Sequence, residues 1–339
     1  MRWLLHIALL LCIFLIPGRT KAQDVHFSQH FYAPQNINPA YTGLFRGNHR
    51  FTANYKNQWP GVKVPYNTIS LAWDGKVIPM GKRRTNWFSM GFTLYRDAAG
   101  DSKFQTIDAQ FSIAYNHAIS DRHYISAGVG TGIVNRGFKI GGLNFDNQWN
   151  GDVFDPTVPI NETFDRTRFN FFDLSLGIAY AFRPERGKTI EFGYSSQHLN
   201  EPNQSYFTNR ETTLNVNYIL QLKMDWAIGR SWSILPSIMY QRQDSKSETI
   251  FGTNVGVMLR PATGQDIRFL MGFHYRIDDA MIGLLGFESG NFRSAITYDM
   301  NMSGLNTASN LRGGVELSAT YFIRKVPKFR YQGPSCPVF

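Results

Sequence analysis

From about residue 50 onward, hydrophobic and polar positions alternate with a period of two. Every second residue from Leu214 is apolar: Leu214, Val216, Tyr218, Leu220, Leu222, Met224 and Trp226. Between them lie Asn215, Asn217, Ile219, Gln221, Lys223 and Asp225, which are mostly polar. The same reading separates Ile107, Ala109, Phe111, Ile113 and Tyr115 from Asp108, Gln110, Ser112 and Ala114. It separates Leu174, Leu176, Ile178, Tyr180 and Phe182 from Asp173, Ser175, Gly177, Ala179 and Ala181, and Val315, Leu317, Ala319 and Tyr321 from Glu316, Ser318 and Thr320. Strict alternation predicts strand. Strands of about ten residues are the length a tilted strand needs to cross a bilayer. About fourteen are predicted, near 50–57, 67–76, 86–96, 103–118, 123–138, 170–182, 188–198, 212–226, 230–241, 247–260, 266–276, 280–288, 291–301 and 312–323. No helix of consequence is readable.

The connections carry a second regularity. If the first strand runs outward, the long connections 139–169, 199–211 and 302–311 all fall at one end, where outer-membrane barrels carry their external loops. The opposite end has tight links such as 183–187, 227–229 and 289–290, and the brief 277–279 is the exception among the external ones. Trp226 and Trp232 flank one tight turn, and Trp59, Trp73 and Trp87 lie near other strand ends, as in an interfacial aromatic girdle. A soluble sandwich would also bury one face of each strand, but would rarely need strands this long. The predicted fold is all-β: a closed transmembrane antiparallel up-and-down β-barrel of about 14 strands, in which closure removes the edges that lipid forbids.

The first 22 residues change the picture of charge and compartment. Arg2, the apolar stretch Ile7–Ile16, Pro17-Gly18 and Thr20-Lys21-Ala22 read as a secretory signal peptide, with cleavage expected between Ala22 and Gln23. Removing Arg2, Arg19 and Lys21 lowers the formal charge from +10 to +7. One cysteine, Cys336, remains after cleavage, so no internal disulfide is expected. Mean hydropathy of −0.28 excludes a bundle of membrane helices, and the 43% hydrophobic content argues against disorder. The organisation expected is a signal peptide over 1–22, an aromatic segment over 23–49, a barrel over 50–323 and a basic tail over 324–339 with Pro327, Pro334 and Pro337. Phe27, Phe31, Tyr32 and Tyr41 are too apolar to be left in water, so residues 24–43 are expected to pack against the barrel and help form the partner surface.

That segment also carries the most specific motif. Phe27-Ser28-Gln29-His30, Pro34, and Asn38-Pro39-Ala40-Tyr41-Thr42-Gly43 resemble the opening of the PorP/SprF family, outer-membrane proteins of the type IX secretion and gliding machinery of Bacteroidota. Val25-His26 stand where the family usually has proline before Phe-Ser-Gln. The resemblance implies a non-enzymatic role in protein secretion or gliding motility. Members connect the outer membrane to a periplasmic ring or peptidoglycan-binding protein, or serve the export or surface retention of a cargo such as a large adhesin. Candidate partner-binding residues are Phe27, Ser28, Gln29, Asn38, Pro39, Ala40 and Gly43, with Phe329 and Tyr331 in the tail. A basic cluster of Lys82, Arg83, Arg84, Arg183, Arg186, Lys188, Arg260, Arg324, Lys325, Lys328 and Arg330 is expected at the periplasmic end, with both mature termini, as a docking face for an acidic partner.

Catalytic and metal chemistry finds little purchase. His26 and His30 are four apart, but Phe27 stands where a zinc protease has Glu. Asp146-Asn147-Gln148-Trp149-Asn150-Gly151 departs from the calcium-loop pattern at Gln148 and at Thr157, leaving at most a weak site from Asp146, Asp152 and Asp155. Gly128-x-Gly130-x-Gly132 has no following helix and reads as wall against which other backbone packs closely. No nucleophile elbow is present. The expectation is no enzyme, no cofactor, no metal and no nucleic acid, with lipid and secretion components as partners. The competing reading is an outer-membrane porin for small solutes.

Overall fold

A computed structural model describes residues 27–58, 66–80, 86–100, 102–141, 143, 145–155, 157–160, 162–259, 266–302 and 312–324. The signal peptide, Trp59, Lys82, Arg83, Arg84, Arg260 and the tail beyond Arg324, with Phe329, Tyr331 and Cys336, lie outside the described residues. The strands are β1 (His49–Gln58), β2 (Tyr66–Met80), β3 (Asn86–Ala99), β4 (Phe104–Ala118), β5 (His123–Gly137), β6 (Arg168–Phe182), β7 (Lys188–Gln197), β8 (Asn217–Ile228), β9 (Trp232–Gln243), β10 (Lys246–Leu259), β11 (Ile267–Arg276), β12 (Ala280–Ser289), β13 (Phe292–Asn301) and β14 (Arg312–Ile323). Each pairs antiparallel with its neighbours in sequence. The sheet closes where β1 meets β14, from His49 opposite Ile323 to Gln58 opposite Gly314.

The apolar face of each strand looks outward. Phe111, Ile113, Leu176, Ile178, Tyr218, Leu220, Leu222, Leu317 and Tyr321 are exposed, while Ser175, Asn217, Gln221, Glu316, Ser318 and Thr320 are buried inside. This inverts a water-soluble protein, and lipid is the solvent that makes the inversion favourable. In water each exposed side chain would cost about 25 cal/mol per Å² of its apolar surface.

The ends differ as expected. The connections 138–167 and 198–216 lie at one end, called here the loop end, as do the last residues of β13 and the first of β14. At the other, the turn end, lie 119–122, 183–187, 229–231 and 290–291, together with His49 and Ile323. Three loop-end links are tight, 100–103, 244–245 and 277–279; at 244–245 Asp244 takes a left-handed φ of 52° and lets β9 and β10 run further than the alternation implied. Trp226 and Trp232 flank their turn as a girdle would. Trp87 does not: it is buried and faces the lumen.

Candidate functional site

The segment expected to pack against the barrel runs through its interior. Phe27 lies toward the loop end beside Tyr95, with ring centroids 6.2 Å apart. The chain then descends through three single turns, His30–Tyr32, Pro34–Ile37 and Pro39–Tyr41, to Asn48, whose N–H donates to the Ile323 carbonyl at the turn end (2.8 Å). The first described residue of the segment, Phe27, is thus on the loop-end side, and the expected N-terminus at Gln23 lies outside the described residues.

Local sequence dictates these turns. Asn38 is extended (φ −152°, ψ 119°), as a residue before proline prefers, and its Oδ1 accepts from the Ala40 N–H (2.8 Å), capping the turn that Pro39 begins. Gly43 closes the motif at φ +69°, where a side chain would be strained and would also strike Ser89.

A lone strand of backbone inside a barrel leaves its N–H and C=O groups unpaired unless the wall supplies partners. Here inward side chains do so. Glu316 on β14 accepts from the Ser28 N–H (2.8 Å) and the Gln29 N–H (3.0 Å). Gln29 Nε2 donates to Thr297 Oγ1 and to the Glu316 carbonyl, and Ser28 Oγ donates to Asp299 Oδ2 (2.6 Å). Arg276 on β11 bonds Ser28 Oγ and pairs with Asp299 (3.1 Å). Across the lumen, Asn38 Nδ2 donates to the Ile178 and Tyr194 carbonyls (3.0 and 3.1 Å). Ser195 donates to the Ile37 carbonyl, Gln197 to the Asn36 carbonyl and Ser126 to the Ala40 carbonyl. On a third side, Asp74 accepts from the Gly43 N–H (2.7 Å) while its carboxylate is forked by Arg50, and Trp87 Nε1 donates to the Gly43 carbonyl.

Packing matches the polar pattern. The glycines of β5 and β6 are where the segment comes closest: a Cβ on Gly128 would stand 2.6 Å from Pro39 carbonyl carbon and Ala40 nitrogen, and one on Gly177 would collide with Asn38. Ala40, Tyr41 and Leu44 pack on Ala179 and Ala181, and Ile37 joins Ile219, Met239, Ile250 and Ile282. Of the glycine run read as a smooth wall, Gly128 and Gly130 face the motif, while Gly132 faces Gln110 and Asp108. All seven candidate partner residues on the motif are buried in the lumen, Asn38, Pro39 and Ala40 against this wall and Phe27, Ser28, Gln29 and Gly43 against other strands. Their side chains are spent on the barrel, so any partner surface on this segment falls to residues such as Arg46, which is exposed.

The segment divides the lumen. On its loop-end side is a cavity of about 310 Å³, with Phe27, His30 and Ile37 as floor and Tyr95, Arg136 and Leu214 among its walls. On its turn-end side is a vestibule of about 970 Å³, lined by Phe31, Tyr32, Phe45, Arg183, Arg268 and Glu288 among others, and the two share no lining residue. The vestibule is less free in cations than the sequence suggested. Arg268 is held by Asp225 (2.8 Å) and Glu288 (2.6 Å), Arg183 and Lys223 meet Glu191, and Lys188 meets Glu185. Asp225, Glu191 and Glu288 lie in strands other than those of their cations, so no local spacing links them; a lone carboxylate at an inward position is the available signal. In the loops, Asp155 is tied to Thr157, and the described residues hold no group of three His, Cys, Asp or Glu placed for a metal ion.

No curated protein sequence matches the chain. Among solved structures, the Pseudomonas putida toluene transporter TodX is similar at 10% identity over 90% of this chain and 96% of its own, with a TM-score of 0.50. The Ralstonia pickettii toluene transporter TbuX is similar at 12% identity over 92% and 97%, with a TM-score of 0.48. At such identities the likeness is one of barrel fold alone. The family model for the type IX secretion system membrane protein PorP/SprF matches residues 19–321. The motif, the barrel and this match together make the chain a member of the PorP/SprF family of type IX secretion proteins, located in the outer membrane.

Proposed function

We propose that this barrel works by protein–protein interaction, without catalysis, in the export or surface attachment of a partner protein such as a large adhesin. A periplasmic ring or peptidoglycan-binding component of the machinery is its contact on the inner side. The observation that carries the reading is the segment 27–48. It crosses the lumen held by hydrogen bonds from β1 to β7 and from β11, β13 and β14, and leaves two cavities without a common lining residue. A solute channel needs a continuous water path, and a lumen clasped by its own chain supports the interaction reading over the porin.

Two measurements test this together. Purified protein in planar bilayers should show no steady conductance at neutral pH. Cells lacking the protein should lose one large exported protein from their surface while other type IX cargo remains. Steady conductance with unchanged surface display would establish the solute porin instead.

A further inference from the structure

The connection between β5 and β6 has a charge unlike the rest of the chain. Residues 140–165 contain Asp146, Asp152, Asp155, Glu162 and Asp165 and no lysine or arginine, in a protein whose formal charge is +10. At its tip, Trp149 pairs with Phe154 as an isolated antiparallel bridge, with ring centroids 5.0 Å apart. Trp149 is 49% exposed, Val153 60% and Phe154 46%.

The tip is held in this shape. Asn150 Oδ1 accepts from the Asp152 and Val153 N–H groups (both 3.0 Å). Gln148 accepts from the Phe145 N–H through Oε1, donates to the Val158 carbonyl through Nε2, and its carbonyl accepts from the Asp155 N–H (2.8 Å). Lower down, the loop is fastened to its neighbour 198–216. Phe138 and Phe169 meet Tyr206 edge-on at 4.9 Å, Arg166 donates twice to the Ser205 carbonyl, and Asp165 accepts from Thr208 (2.6 and 2.7 Å). The Thr208 bonds hold the Asp165 carboxyl below its ordinary range, so this acid stays ionised.

A fixed Trp/Phe pair has already lost much of the entropy that binding would otherwise cost, and aromatic anchors dominate the energetics of interfaces. Exposed singly, such residues are ordinary; held together at a loop tip they form a contiguous apolar point. Its carboxylates decide between occupants. An anionic leaflet repels Asp146, Asp152 and Asp155, whereas a basic protein surface is drawn to them.

We propose that the Trp149–Phe154 tip is a docking point, on the outer side of the membrane, for a protein partner that offers an apolar pocket rimmed by lysine or arginine. This rests on the reading of the barrel as an interaction protein and adds where, and to what chemistry, it binds.

Photo-crosslinking on intact cells tests it. A Val153→Cys chain in a Cys336→Ser background is loaded with benzophenone-maleimide and irradiated. The expected product is a polypeptide adduct that falls about tenfold or more with Trp149→Ala. With Asp146, Asp152 and Asp155 all changed to Asn, it should fall severalfold and lose its sensitivity to added salt. Phe154→Ala is the second variant, so that failure of one to assemble, read from heat-dependent migration of the barrel, does not stall the test. Adducts only to lipid, no adduct, or a polypeptide adduct indifferent to all of these changes would overturn the proposal. Surface display of the exported protein is scored in parallel. Tip variants that retain display, beside a deletion strain that loses it, would sink the tip and spare the proposed function. A deletion strain with intact display would sink the function itself.

Discussion

His30 lies within the clasp with neither ring nitrogen hydrogen-bonded. It is fully buried, with its ring edge-on to Phe31 at 5.1 Å and to His274 at 6.4 Å. A full charge placed here would be desolvated at a cost of about 3 kcal/mol or more. His30→Lys should therefore make conductance events in planar bilayers more frequent. His30→Phe, which keeps the ring and removes the unpaired nitrogens, should not; equal recordings from the two variants would remove His30 as a determinant of the clasp. The motif Phe27-Ser28-Gln29-His30 was legible as a place where something packs. That Glu316, Asp299 and Arg276 do the gripping was not, because they lie 288, 271 and 248 positions from Ser28 and share no local pattern with it.

Among elements, β5 shows how the wall is shaped to its occupant. Its alternation is weak in sequence because Gly128, Gly130 and Gly132 occupy the inward positions. In the structure the gap at Gly128 is filled by Pro39 and Ala40, that at Gly130 by Ser175 and Pro39, and that at Gly132 by Gln110 and Asp108. Gly128→Val should leave the barrel able to assemble, since the strand's ladder to β4 and β6 is untouched, but it should displace residues 38–41 at a cost of about 1–3 kcal/mol. The contact is with backbone, so no rotamer change relieves it. Protease access to the segment and bilayer conductance should both rise, while Gly283→Ala, where a Cβ meets nothing within 4 Å, should change neither. β8 teaches the reverse. Its alternation extends back to Leu214, yet pairing starts at Asn217. Leu214 instead donates its N–H to the Pro202 carbonyl, and Asn203 bridges Thr213. The loop folds back on itself there, and a period-two pattern cannot distinguish a strand from a chain that pairs with its own loop.

For the whole molecule, alternation and loop parity made the strand number and the closed barrel legible, because both are repeated in every strand and no single position has to be right. Which way the N-terminal segment threads was not legible. It depends on contacts of Ser28 with β13 and β14 and of Gly43 with β2, at opposite ends of the chain. The orientation in the membrane follows from the same parity. Short turns suit the periplasmic side, through which an exported barrel inserts, and long structured loops suit the outside. Asn147 lies in the long connection at the loop end and Glu185 in a tight turn at the other. Each is changed singly to cysteine in a Cys336→Ser chain and treated on intact cells with a thiol reagent that does not cross the membrane. Asn147→Cys should label and Glu185→Cys should not, until the cells are opened. Asn147 donates to the Pro159 carbonyl, so its loss loosens the tip locally and leaves the strands paired. Labelling of Glu185→Cys with protection of Asn147→Cys would invert the barrel. It would then put the acidic aromatic tip in the periplasm and the 970 Å³ vestibule on the cell surface.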